Sequence, residues 1–130
     1  MREILFKAKR IDNGEWVEGY IVKYPCAVQI GNGSCWYIDV PPVDPDDNGG
    51  RYNVDPETVC QYTGLIDKNG AKIFEGDFVN VRTTAYMFRS CVVKWNESNA
   101  MWSVASGKAR YRMSDSFKYE VIGNIHDKEE

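Results

Sequence analysis

Turn residues punctuate this chain so closely that no helix of ordinary length fits between them, and this spacing constrains the fold more than any other feature. Apolar residues recur at every second position over short runs, and no stretch sustains the 3.6-residue period of an amphipathic helix. The segment QYTGLIDKNGAKIFEGD, residues 61–77, shows the rule. Asn69-Gly70 tolerates positive φ and favours the two-residue turns whose twist matches paired strands. Lys72, Ile73 and Phe74 then read as a short returning strand and Gly76 as a sharp bend, with Asp77 an acceptor for backbone N–H groups in that bend. Val79 and Val81 follow, two residues apart and so on one face.

The same pattern runs along the chain. In EILFKAKRI, Ile4, Phe6 and Ala8 face one way and Lys7 and Lys9 the other, as in a half-buried strand. Asp12-Asn13-Gly14 turns the chain into a second strand, WVEGYIVKY, in which Gly19 reads as a bulge and which Pro25 ends. CAVQI and CWYIDV, on either side of Gly31-Asn32-Gly33-Ser34, predict a hairpin. PPVDPDDNGGRYNVDPE has no apolar period and reads as a long exposed loop. It divides an N-terminal β-rich region, 1–57, from a second region, 58–130, with one compact domain over 1–130 as the alternative. TVCQYTG, DFVNVRT, FRSCVVKW, MWSVA and YEVIGNI are further short strands, and SGKARYRMSDSF has no clear period and leaves room for a short helical turn. Short strands at this spacing predict a small barrel or sandwich. The abundance of Tyr and Trp agrees, because flat side chains fit a pleated surface.

The formal charge of −3 argues against a generic polyanion binder, which is normally basic overall. Its distribution is uneven. Residues 39–57 hold Asp39, Asp44, Asp46, Asp47, Asp55 and Glu57 against Arg51 alone. Residues 82–118 hold Arg82, Arg89, Lys94, Lys108, Arg110, Arg112 and Lys118 against Glu97 and Asp115. With Tyr111 between two arginines, this second set is the candidate nucleic-acid-binding surface, since cations can hold phosphates while a base stacks on the ring. The competing reading is an ordinary charged surface, its side chains scattered by alternation over both faces.

Catalytic and metal chemistry find little support. Cys26, Cys35, Cys60 and Cys91 form no C-x-x-C pair, and His126 is the single histidine, so no zinc site is predicted and the four thiols read as reduced and mostly buried. Cys91, between Arg89 and Lys94, has the one local hint of a depressed thiol pKa. Glu75 and Asp77 could share a proton or a metal, but no histidine or third acid lies near them and a capped turn accounts for both. Asp44, Asp46, Asn48, Gly49 and Asp55 match positions of a calcium-binding EF-hand loop, yet Pro41, Pro42 and Pro56 stand where its helices belong, so a solvated turn is expected. Trp16, Trp36, Tyr37, Trp95 and Trp102 are expected to fill or edge a core rather than line a ligand groove. No catalytic residue, metal or cofactor is predicted. MREILFKAKR carries charge on both sides of a three-residue apolar run and does not read as a signal peptide, and no stretch reads as a membrane span.

Four segments together resemble the YopX family of small phage and prophage proteins: MREILFKAKR as its opening strand, QYTGLIDKNGAKIFEGDFV as its central signature, CVVKW as a later strand and YEVIGNIHD as the closing one. Lys9 stands where the family usually has tryptophan, and Phe74 where tyrosine is common. The resemblance implies a mainly β protein whose C-terminal part is a small SH3-like barrel with an N-terminal β-rich region packed on it. It also implies a phage or prophage origin and a bacterial cytoplasm, and no activity. The expected role is a non-enzymatic accessory protein that binds a host or phage protein or self-associates as a homo-oligomer through exposed strand edges. The alternative is a nucleic-acid-binding module that uses the basic C-terminal half.

Overall fold

In the structure, a computed structural model, residues 4–25, 34–42, 49–107, 109–114 and 116–127 are described. Among them the chain forms eleven strands and one turn of 3₁₀ helix. The strands are β1 (Phe6–Lys9), β2 (Trp16–Pro25), β3 (Ser34–Val40), β4 (Gly50–Asn53), β5 (Cys60–Ile66), β6 (Lys72–Phe74), β7 (Asp77–Arg82), β8 (Met87–Asn96), β9 (Met101–Ser106), β10 (Ala109–Arg112) and β11 (Lys118–Asn124). The 3₁₀ turn is Pro56–Thr58. The fold is mainly β, as the alternation predicts. Its two antiparallel sheets have the hydrogen-bonding orders β4-β3-β2-β1-β5-β6 and β10-β9-β8-β7-β11. The chain divides into two compact units, Met1–Gln61 and Tyr62–Glu130.

In the first unit, Ala8, Ile38 and Val54 are fully buried, with Val17, Ile21 and Trp36 packed around them. Gly19 is not a bulge. It pairs in register with Phe6, and a Cβ at this position would lie 2.1 Å from the Asp39 carbonyl oxygen, so the close approach of β3 requires glycine. The stretch read as a long loop contains β4, an edge strand held by its ladder to β3. Asp55 caps the 3₁₀ turn by accepting from the Glu57 N–H at 3.0 Å, while the Thr58 hydroxyl accepts from the Lys9 N–H at 2.8 Å. Asp44, Asp46 and Asn48 of the calcium-loop pattern, like the strand expected over CAVQI, lie outside the described residues.

In the second unit the turn over 67–70 and the short strand after it form where expected. Gly70 takes φ +85°, its N–H donates to the Asp67 carbonyl, and β6 pairs back on β5. Gly76 takes φ +83° in the tight bend before β7. Val79 and Val81 of β7, Cys91 and Val93 of β8, and Trp102 and Val104 of β9 then share one buried cluster with Ile73, Met113 and Tyr119. Among the described residues no closed barrel is found: β10 pairs only with β9 and β11 only with β7, so the five-stranded sheet stays open. The chain between β10 and β11 bonds to itself instead, the Tyr119 hydroxyl accepting from the Ser114 N–H and donating to the Ser114 carbonyl. Within 106–117, Ala109–Arg112 form β10, and the Phe117 N–H donates to the Ser114 carbonyl in a turn.

Candidate functional site

Because Val79, Val81, Cys91, Val93, Trp102 and Val104 point into the cluster, their strand neighbours point to the opposite face. Cross-strand register arranges that face in rows. Arg112 lies opposite Ser103, and Ser103 opposite Lys94. Arg110 lies opposite Ala105, which is opposite Val92. Arg82 lies directly opposite Lys118. Five of the eight residues singled out from the sequence, Arg82, Lys94, Arg110, Arg112 and Lys118, are therefore exposed on one sheet face. None of the five makes an ion pair among the described residues.

The remaining three fare differently. Lys108 lies outside the described residues. Arg89 shares a bulge in β8, where Arg89 and Ser90 together oppose Asn80 and Ser90 takes φ +53°. Tyr111 lies opposite Val104, on the core side, and its ring stacks on Phe88 at 4.7 Å. A base held between Arg110 and Arg112 on the Tyr111 ring is therefore not what this strand offers, because adjacent residues of a strand face opposite ways.

At the other end of the face, between β7, the start of β8 and β11, lies a depression of about 360 Å³ lined by Lys68, Asn80, Arg82, Met87, Lys118 and Glu120. Its floor is an ordered polar chain. The Ser90 N–H donates to Asn80 Oδ1 at 3.0 Å, Asn80 Nδ2 donates to Glu120 Oε1 at 3.2 Å, and Lys68 Nζ stands 3.4 Å from Glu120 Oε2. Lys68, Asn80 and Glu120 are not distinguished by the sequence. Lys68 reads as part of a turn, and the other two occupy outward strand positions that any polar residue can fill.

Asp67 fixes this end of the site. Its buried carboxylate accepts from the N–H groups of Asn69 and Ala71 through Oδ1 and of Val121 through Oδ2, at 2.8–3.0 Å, tying the Lys68 turn to β11. Burial pushes the Asp67 carboxyl up, but these three donors together outweigh it and hold it below the usual carboxylate range. The Lys68 N–H also donates to the Tyr119 carbonyl.

The other candidates settle into structural roles. Asp77 is buried and accepts from the Phe74 N–H and from Asn124 Nδ2, both at 2.8 Å, as its reading as a turn acceptor requires. Among the described residues no group of three or more His, Cys, Asp or Glu side chains is placed to hold a metal. Cys60 and Cys91 are buried thiols outside any disulfide, whereas Cys35 is disulfide-bonded, which corrects the expectation of four reduced thiols. Burial pushes the Cys91 thiol up, overriding the hint from Arg89 and Lys94. Trp102 lies in the core with its indole N–H unpartnered, and Trp95 packs edge-on against it at 5.1 Å. Trp36 packs against the first unit's core, and Trp16 lies beneath Lys7 and Lys9.

The family model for the YopX protein matches residues 6–130. The chain belongs to the YopX family. The match takes in residues 6–10 of the opening segment and the other three segments whole, and with them both sheets and every residue of the cationic face. No curated protein matches the chain. Among the described residues no helix is long and apolar enough to cross a membrane.

Proposed function

We propose that this YopX-family chain is a non-enzymatic binding module, an accessory protein of phage or prophage origin in the bacterial cytoplasm, whose second unit presents the β7–β11 sheet face to a nucleic-acid strand. The observation that carries the reading is the gathering of Arg82, Lys94, Arg110, Arg112 and Lys118 on one face with no ion pair among the described residues. Cations in that state are positioned to neutralise phosphates and release condensed counterions. The formal charge of −3 does not oppose this, because screening limits each charge's reach to about 10 Å and the local face decides. With Tyr111 on the other side of the sheet, binding rests on phosphate contacts, so it is insensitive to base sequence.

The test is fluorescence anisotropy with labelled single- and double-stranded DNA and RNA at low and moderate salt. The expected result is binding that weakens steeply with salt and is lost in Arg110→Ala/Arg112→Ala. Absence of binding at low salt removes the reading.

A second reading, contact with a host or phage protein or with a second copy, is favoured by one feature. Tyr86, 69% exposed, extends the Phe88–Tyr111 stack at 6.2 Å and leaves an aromatic stripe on the surface. The edges of the five-stranded sheet do not favour strand addition. β10 carries Arg110 and Arg112, and β11 carries Lys118 and a register break between Val121 and Gly123. Sedimentation of the native chain and of Tyr86→Ser separates the cases: a dimer dissolved by the substitution supports this second reading, and a monomer in both removes self-association through the stripe.

A further inference from the structure

We propose that the depression between β7, the start of β8 and β11 binds a phosphate monoester carried on a hydroxylated sugar. This chemistry is shared by a free ribonucleoside monophosphate and by the 5′-phosphorylated end of an RNA strand. The proposal rests on the reading of this sheet face as anion-binding and specifies what one end of it takes.

Three observations converge. The first is charge. Lys68, Arg82 and Lys118 against Glu120 leave the depression a net charge of +2, which matches a phosphate monoester at about −1.5 to −2 better than an internal phosphodiester. The second is the placement of Arg82 directly opposite Lys118 with no acid paired to either among the described residues. Like charges facing across a ladder destabilise a sheet, and a bridging phosphate turns that repulsion into two charge-assisted contacts, a planar fork from Arg82 and a point charge from Lys118.

The third is Glu120. A carboxylate has no place beside a bare phosphate, yet this one is held in the depression by Asn80, which the Ser90 N–H of the β8 bulge orients in turn. Each carboxylate oxygen has a second lone pair, so Glu120 remains able to accept from a donor. A sugar hydroxyl next to the phosphate is such a donor. A volume of about 360 Å³ lies at the small end of ligand sites and admits a pentose phosphate. Met87, 49% exposed at the rim, offers an apolar surface to whatever the sugar carries.

Isothermal titration calorimetry of the full chain with ribose 5-phosphate, ribose and inorganic phosphate tests this, with thermal melts of each variant run alongside. Ribose 5-phosphate is expected to bind about tenfold or more tighter than inorganic phosphate, with ribose silent, and Arg82→Ala and Lys118→Ala are each expected to weaken it by about tenfold. Glu120→Gln is expected to tighten inorganic phosphate and to erase the preference for the sugar, a reversal that a purely structural role does not produce. Equal affinity of the native chain for inorganic phosphate and ribose 5-phosphate, or unchanged binding in a folded Arg82→Ala, overturns the proposal. The two sources separate on 5′-phosphorylated and 5′-hydroxyl RNA 12-mers. Tighter binding of the phosphorylated strand supports strand-end recognition, and equal binding alongside intact ribose 5-phosphate binding supports the free nucleotide. Arg110→Ala/Arg112→Ala should abolish strand binding and spare ribose 5-phosphate, so failure of the polyanion reading and failure of this site remain distinguishable.

Discussion

The two units of this chain carry positive charge in opposite ways. In the first, Arg10 forks onto Asp12 at 2.6 and 3.0 Å, and Arg51 onto Asp39 at 2.6 and 2.9 Å. The Arg10 guanidinium holds the Asp12 carboxyl below its ordinary range, and the Arg51 guanidinium does the same for Asp39. Lys7 and Lys9 lie over the Trp16 ring, and Lys23 over Trp36. In the second unit, Arg82, Lys94, Arg110, Arg112 and Lys118 occupy equally regular strand positions, but no carboxylate is paired to them among the described residues. The residue types and the alternation are alike. What differs is the side chain that register places on the same face: a carboxylate or indole quenches a cation, and a serine or alanine leaves it available.

The comparison has a scaffold beneath it, and the largest effect is expected there. Asp67→Ala takes the acceptor from three part-buried N–H groups. At about 1 kcal/mol for each bond lost, it should lower stability by roughly 2–3 kcal/mol in chemical denaturation, whereas loss of the exposed Arg51–Asp39 pair should barely move the midpoint. If Asp67→Ala unfolds no more readily than Asp39→Asn, the claim that Asp67 builds the second unit while the cations of its open face stand without an ion pair among the described residues is broken.

The next effect concerns pH. The Asp67 carboxyl is depressed in the folded chain, so its contribution is complete above the unfolded carboxylate pKa of about 3.9 and is lost as pH falls through the lower folded value. Denaturation midpoints of the native chain should therefore drop below about pH 4, and Asp67→Asn should lack that part of the slope.

Smaller still, Asp39→Asn removes the carboxylate onto which Arg51 forks, lowering the negative charge of the chain by one, and should raise nucleic-acid affinity about twofold at low salt, read by anisotropy. Smallest of all, Arg82→Gln removes the repulsion with Lys118 and should stabilise the chain by roughly half a kcal/mol while weakening anion binding. A loss of stability there would mean that Arg82 holds the sheet together rather than waiting for a ligand.

Much of this was legible in the sequence because strand and turn signals are local. Asn69-Gly70 announces its turn, and β6 occupies Lys72–Phe74 as the returning strand should. The errors share a non-local cause. Gly19 looks like a bulge until β3 brings the Asp39 carbonyl against it. Residues 50–53 look like loop until β3 offers them a ladder. Arg110, Tyr111 and Arg112 stand together in sequence, but β10 is a strand and period two separates the ring from the cations, as the competing reading of an ordinary charged surface expects of alternation. The depression was hidden for the same reason: Asn80 and Glu120 meet across 40 residues of chain, and nothing near either one in sequence reveals it.

The most direct test of the contrast sets two triple variants side by side. Lys94→Ala/Arg110→Ala/Arg112→Ala strips the open face, and Lys7→Ala/Lys9→Ala/Lys23→Ala strips the quenched lysines of the first unit. Affinity for a single-stranded RNA is measured across a salt series. The expected result is that the first variant loses binding throughout the salt series, while the second keeps the native affinity and the native salt slope. Equal losses in the two variants would contradict the account, because cations stacked on indoles would then be as available as cations with no partner.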